Sequence, residues 1–67
     1  MFKNLKTGDF VECFNDENSR WVLSDEFDII DNTFVTDEDS PYIPLDCITK
    51  VWREDEDGDY ILIYSKG

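Results

Sequence analysis

The segment Asp46-Cys47-Ile48-Thr49-Lys50-Val51-Trp52-Arg53, Glu54-Asp55-Glu56-Asp57-Gly58-Asp59, Tyr60-Ile61-Leu62-Ile63-Tyr64-Ser65-Lys66 sets two apolar arms around a loop with five carboxylates in six residues. β-Branched and aromatic residues dominate both arms, which favours strands. Asp57-Gly58 supplies the positive φ that a hairpin turn demands. The segment therefore reads as a β-hairpin whose arms, through Ile48, Val51, Ile61 and Ile63, build a core. Its loop displays charge.

Working outward, the preceding residues hold shorter elements. Asp9 to Phe14 carries apolar residues on both faces with Glu12 in the middle, as expected of a strand covered on two sides. Asn15-Asp16-Glu17-Asn18 is a turn by composition, and Ser19 to Ser24 is a second strand. Phe27-Asp28-Ile29-Ile30, a tight connection at Asp31-Asn32, and Thr33-Phe34-Val35-Thr36 follow as two more extended runs. A helix over Ser24 to Asp31, capped by Ser24, is the competing assignment. It is disfavoured because a two-turn helix is marginal without a large packing partner. Pro41 and Pro44 exclude a central strand between Thr36 and Pro44, and Leu45-Asp46-Cys47 reads as a single 3₁₀ turn.

Sixty-seven residues make one domain, spanning 1–67, since two cores cannot be built at this length. No run reaches the ~18–20 apolar residues of a membrane-spanning helix, and Met1 to Lys6 lacks a signal-peptide apolar region. The expectation is a soluble protein of the cytoplasm. Two cysteines without an export signal, Cys13 and Cys47, are expected to be reduced thiols. Histidine is absent, which removes the usual zinc-finger ligand sets and the commonest general base. The nearest neighbours of the cysteines are acidic, which raises a thiol pKa and argues against a nucleophile. No catalytic residue, metal or cofactor is assigned, and no enzyme is expected.

Seventeen Asp and Glu against six Lys and Arg leave a net charge of −11. Area scaling for this mass gives roughly 4,400 Å² of folded surface, on the order of one net negative charge per 400 Å². Such a surface repels nucleic acid and anionic membranes and attracts basic proteins. Charge that only keeps a small aromatic-rich protein soluble is the alternative.

The short strands, polar turns and Gly8-Asp9 opening point to an all-β fold: a small, bent, antiparallel SH3-like barrel of about five strands, with a 3₁₀ turn near residues 45–47. An OB-fold is second. Two segments carry a family likeness. Lys6-Thr7-Gly8-Asp9-Phe10-Val11-Glu12 resembles the Gly-Asp-hydrophobic-Val-Glu opening of small SH3-like barrel proteins encoded by phages and prophages of low-GC Gram-positive bacteria. Asp46 to Arg53, followed by an acidic turn and an aromatic-aliphatic strand, is similar to the way such proteins finish. The resemblance implies a fold and a phage origin, with no catalytic residue to carry over. Some small acidic phage proteins inhibit host nucleic-acid-binding enzymes or defence systems.

The carboxylates fall in runs: Asp16-Glu17; Asp25, Glu26, Asp28 and Asp31; Asp37-Glu38-Asp39; and Glu54 to Asp59. Residues two apart on a strand share a face at ~6.6 Å, a spacing suited to substituting for neighbouring phosphates. The favoured function is a protein-interaction module that mimics nucleic-acid phosphates and blocks a basic surface on a host nucleic-acid-binding or defence protein. Its expected contacts are Glu54, Asp55, Glu56, Asp57 and Asp59, then Asp37, Glu38 and Asp39, with Trp52 as an apolar anchor. A calcium loop is rejected: Gly58 falls at the fourth position of Asp55 to Asp59, an EF-hand needs it at the sixth, and strands flank the run. Two alternatives stay open. One is a peptide-recognition module using Trp21, Tyr42 and Tyr60 against a basic or proline-rich segment. The other is a structural or virion accessory protein that acts through oligomerisation, and homodimerisation is likewise left open.

Overall fold

In a computed structural model that describes residues 2–23, 27–36 and 42–66, the described residues run mainly as strands, with turns at 7–8, 14–15, 31–32 and 56–57. The strands are β1 (Phe10–Cys13), β2 (Arg20–Val22), β3 (Phe27–Ile30), β4 (Thr33–Thr36), β5 (Tyr42–Pro44), β6 (Ile48–Glu54) and β7 (Tyr60–Ser65). Single 3₁₀ turns at Glu17–Ser19 and Leu45–Cys47 complete the described elements. All pairings are antiparallel. The order β2-β1-β6-β7 forms one sheet and β3-β4-β5 the other. No helix among the described residues is long and apolar enough to cross a membrane.

The all-β antiparallel architecture and the 3₁₀ turn at Leu45–Cys47 are those expected from the sequence. Two details differ. Among the described residues seven strands are present where about five were expected, and no strand of one sheet pairs with a strand of the other, so the sheet does not close into a barrel. Relative to the six extended runs read from the sequence, the additional strand is β5. Among the described residues it pairs on one side only, with β4, and an edge position is where proline's missing N–H and fixed φ are tolerated. The prolines thus excluded a central strand without excluding an edge one.

Local chemistry accounts for the turns. Asp31 and Asn32, at φ 51° and 60°, form a two-residue hairpin loop with Ile30 opposite Thr33. Left-handed backbone at both positions matches the twist of the flanking strands, and Asp and Asn tolerate it. This geometry leaves β3 extended and removes the helical alternative for 27–31. Phe14 and Asn15 repeat the arrangement at φ 57° and 52°, closed by a 3.1 Å bond from the Asp16 amide to the Cys13 carbonyl. Asp16 then caps the following 3₁₀ turn by accepting from the Asn18 amide at 2.9 Å.

The core lies between the sheets. Leu5, Val11, Cys13, Leu23, Ile43, Leu45, Ile48 and Val51 are buried, with Phe2, Trp21, Phe27, Ile29, Ile63 and Tyr64 packed around them. Val11 stands opposite both Trp21 and Val51, so one face of the larger sheet turns inward along a row from β2 to β6. Ile48, Val51 and Ile63 take the core roles expected of them. Ile61 does not, being 51% exposed. The β6–β7 register shifts between Val51 and Trp52, which leaves Ile61 opposite Arg53 near the loop end of the hairpin. A bulge interrupts simple alternation, so Ile61 and Ile63 do not share an environment. Cys13 and Cys47 are free thiols. Burial, then the neighbouring Cys47 and Glu12, push the Cys13 thiol up to about 12.

Candidate functional site

The outward face of the larger sheet is apolar along one row. Val22, Phe10, Trp52 and Leu62 are successive cross-strand partners from β2 to β7. Val22 and Leu62 are both large and exposed. Phe10, Arg20, Val22, Trp52 and Tyr60 line a shallow depression of about 520 Å³. The Phe10 ring lies 5.3 Å from that of Trp52 and 5.8 Å from that of Tyr60, both tilted, in the range of favourable aromatic pairing.

Buried ion pairs hold this platform in place. Glu12, only 2% exposed, accepts from Arg20 Nε at 2.8 Å and pairs with Nη2 at 2.7 Å. Its other oxygen accepts from the Thr49 hydroxyl at 2.8 Å. Burial raises the Glu12 pKa, but hydrogen bonds from Arg20 and Thr49 and the Arg20 charge outweigh it, so the carboxyl sits below its ordinary value. Arg20, fixed by Glu12, rests 5.1 Å from the centre of the Trp52 ring, within cation–π range. Asp9, 1% exposed, accepts from Arg53 through both oxygens at 2.9 Å and from the Lys6 amide at 2.9 Å. The Asp9 hydrogen bond raises the Arg53 pKa above its ordinary value, against desolvation and with help from the Asp9 charge. Both arginines of the chain are therefore committed internally.

The acidic loop joins β6 to β7 beside the depression, since Glu54 and the depression-lining Tyr60 are the last cross-strand pair before it. Asp55 organises the loop. One of its carboxylate oxygens accepts from the Asp57 amide at 2.9 Å and the Asp59 amide at 3.0 Å, and its backbone bonds to Asp59 and Gly58. Gly58 takes φ +86°, supplying the left-handed residue expected of Asp57-Gly58. Glu54, Glu56, Asp57 and Asp59 are exposed, whereas Asp55 is half-buried. No ion pair among the described residues involves any of these five. Among the described residues no group of three or more Asp, Glu or Cys side chains converges as a metal site.

The structure thus brings Glu54, Glu56, Asp57, Asp59 and Trp52 to one end of the sheet and gives Asp55 a structural role. Asp37, Glu38 and Asp39 lie outside the described residues. The trio Trp21, Tyr42 and Tyr60 is not assembled. Trp21 packs against the core and Tyr60 lines the outer depression, while Tyr42 sits on β5 of the smaller sheet, 73% exposed. Phe10 and Arg20, which complete the platform, were not among the expected contacts. The one cue, for Arg20 alone, was the Glu12 carboxylate in the middle of a covered strand, which calls for a partner without saying which. The chain matches no protein-family model, and no curated protein or solved structure matches it significantly.

Proposed function

We propose that the protein is an acidic interaction module that docks on a basic surface of a nucleic-acid-binding protein and competes there with phosphates. The exposed carboxylates of Glu54, Glu56, Asp57 and Asp59 supply the charge, and the Phe10–Trp52–Tyr60 platform supplies an apolar anchor. The observation that carries this reading is the adjacency of an unpaired carboxylate loop and a partly exposed aromatic depression. Charge alone steers encounter and favours fast association, while buried aromatics supply most of the binding energy in a typical interface. The net charge of −11 acts in the same direction over the whole surface. The resemblance of the opening and closing segments to phage-encoded proteins supports a partner in a bacterial host, with inhibition of a host nucleic-acid-binding or defence protein as the outcome.

Capture from a bacterial lysate on the immobilised protein tests the proposal. Recovered proteins should be DNA- or RNA-binding, should elute at moderate salt and should be displaced by added nucleic acid. Retention indifferent to salt and nucleic acid contradicts it.

A further inference from the structure

Among the described residues the two sheets present four edge strands, and three are guarded against pairing with another chain. β2 has three residues and carries Arg20, β3 carries the exposed Asp28, and β5 has three residues and ends in Pro44. Short length, edge charge and proline are the devices that discourage strand addition. β7 has none of these three, and its one edge irregularity is the register shift at Ile63. It runs six residues, Tyr60–Ser65, with no charged residue and no proline, and among the described residues pairs only with β6. Tyr60, Ile61 and Leu62 are 45%, 51% and 53% exposed. In a chain where 34% of residues are charged, this uncharged edge is a local exception.

Charge selects the occupant. β7 begins immediately after Asp59, so an incoming strand passes the carboxylates of Glu54, Glu56, Asp57 and Asp59 at one end. A second copy brings a net charge of −11 of its own and is repelled. A basic segment is attracted. We infer that β7 is a docking edge to which an extended segment of a basic partner adds as a further strand, its Lys or Arg side chains lying beside the acidic loop. This rests on the reading of that loop as a site for a basic partner and specifies how the partner is held. Main-chain hydrogen bonds to the β7 edge provide affinity, and side chains on the outer face lie beside Leu62 and Tyr60, extending the apolar row of the platform.

The probe is a short synthetic peptide alternating lysine with valine, compared with one of equal charge in which proline replaces valine. The second keeps the electrostatic attraction but lacks alternate N–H donors. Binding is followed by NMR on the labelled full chain at low salt. The alternating peptide should bind at least about tenfold tighter and slow amide exchange within residues 60–65. Equal affinities with shifts confined to 54–59 overturn strand addition and leave the loop reading standing. Failure of both peptides to bind overturns the loop reading itself, and this inference with it. Concentration-dependent protection of 60–65 without peptide assigns the edge to a second copy and overturns the inference.

Discussion

Replacing Glu12 by alanine removes both hydrogen bonds of Arg20 and the Thr49 contact at once. Breaking a buried ion pair by deleting one partner costs ~3–5 kcal/mol, because the remaining charge is stranded. Arg20 keeps 29% of its side-chain surface exposed and can recover part of its hydration, so the lower end, about 3 kcal/mol, is expected. A domain of 67 residues has roughly 3–10 kcal/mol of stability in total, so Glu12→Ala should remove about a third of it or more. Urea denaturation followed by tryptophan fluorescence measures this through the midpoint at constant m. Glu12→Gln keeps the shape and should lose only about 1–2 kcal/mol, the difference between charged and neutral hydrogen bonds. The double variant Glu12→Leu, Arg20→Met should be more stable than Glu12→Ala, since no charge is left buried. A loss under about 1 kcal/mol for Glu12→Ala, or a double variant less stable than the single, would refute the reasoning.

The depressed Glu12 pKa also fixes an acid dependence. The folded state takes up this proton less readily than the unfolded chain, so the contribution of the charged carboxyl is complete above its ordinary value of 4.5 and is lost as pH falls through the lower folded value; Glu12→Gln should flatten the stability profile below about pH 4.5. Gly58→Ala should cost about 1–2 kcal/mol through its φ of +86° alone, because the added Cβ meets only the Glu54 carboxylate at 3.8 Å; an unchanged denaturation midpoint contradicts the turn assignment. Phe14, at φ 57° and 61% exposed, gains little from packing, so Phe14→Gly should leave stability unchanged or raise it by up to about 1 kcal/mol, and a larger loss by urea titration shows that the ring is needed for folding. Thiol labelling of the native protein should modify Cys47 promptly and Cys13 only as fast as the chain opens, since Cys13 is fully buried with a pKa of about 12; equal rates contradict the packing around β1.

Features written in neighbouring residues were legible before the structure. Asp31-Asn32 between two β-branched runs announces its hairpin, and the β6–β7 pair follows from its arms and its Asp57-Gly58 turn. Features that depend on pairing across the chain were not. Asp9 and Arg53 are 44 positions apart and become partners only once β1 lies beside β6, so Asp9 reads in isolation as one more surface carboxylate. The exposure of Ile61 depends on a register shift that no residue of β7 signals. Phe14 adopts a left-handed backbone that its side chain disfavours, held by bonds from its own amide to the Cys47 carbonyl at 2.7 Å and from the Asn15 amide to the Thr49 hydroxyl at 3.2 Å. At the candidate site, the proximity of Trp52 to the exposed loop carboxylates was legible from their place in one hairpin. Phe10 and Arg20 were not, because only strand order sets them on the same face.

Seven carboxylates of the described residues fall into two sets. Asp9, Glu12 and Asp55 build the fold and the loop, whereas Glu54, Glu56, Asp57 and Asp59 are exposed and are the proposed contacts with a partner. The most direct test of that division is the salt dependence of binding to a captured nucleic-acid-binding partner, measured for the native protein and for a variant carrying Glu54→Gln, Glu56→Gln, Asp57→Asn and Asp59→Asn. The variant should fold with undiminished stability, since no ion pair of the described residues is removed. It should bind at least about tenfold more weakly at low salt, with a much shallower salt dependence. Equal affinity and equal salt dependence for the two proteins would contradict the division.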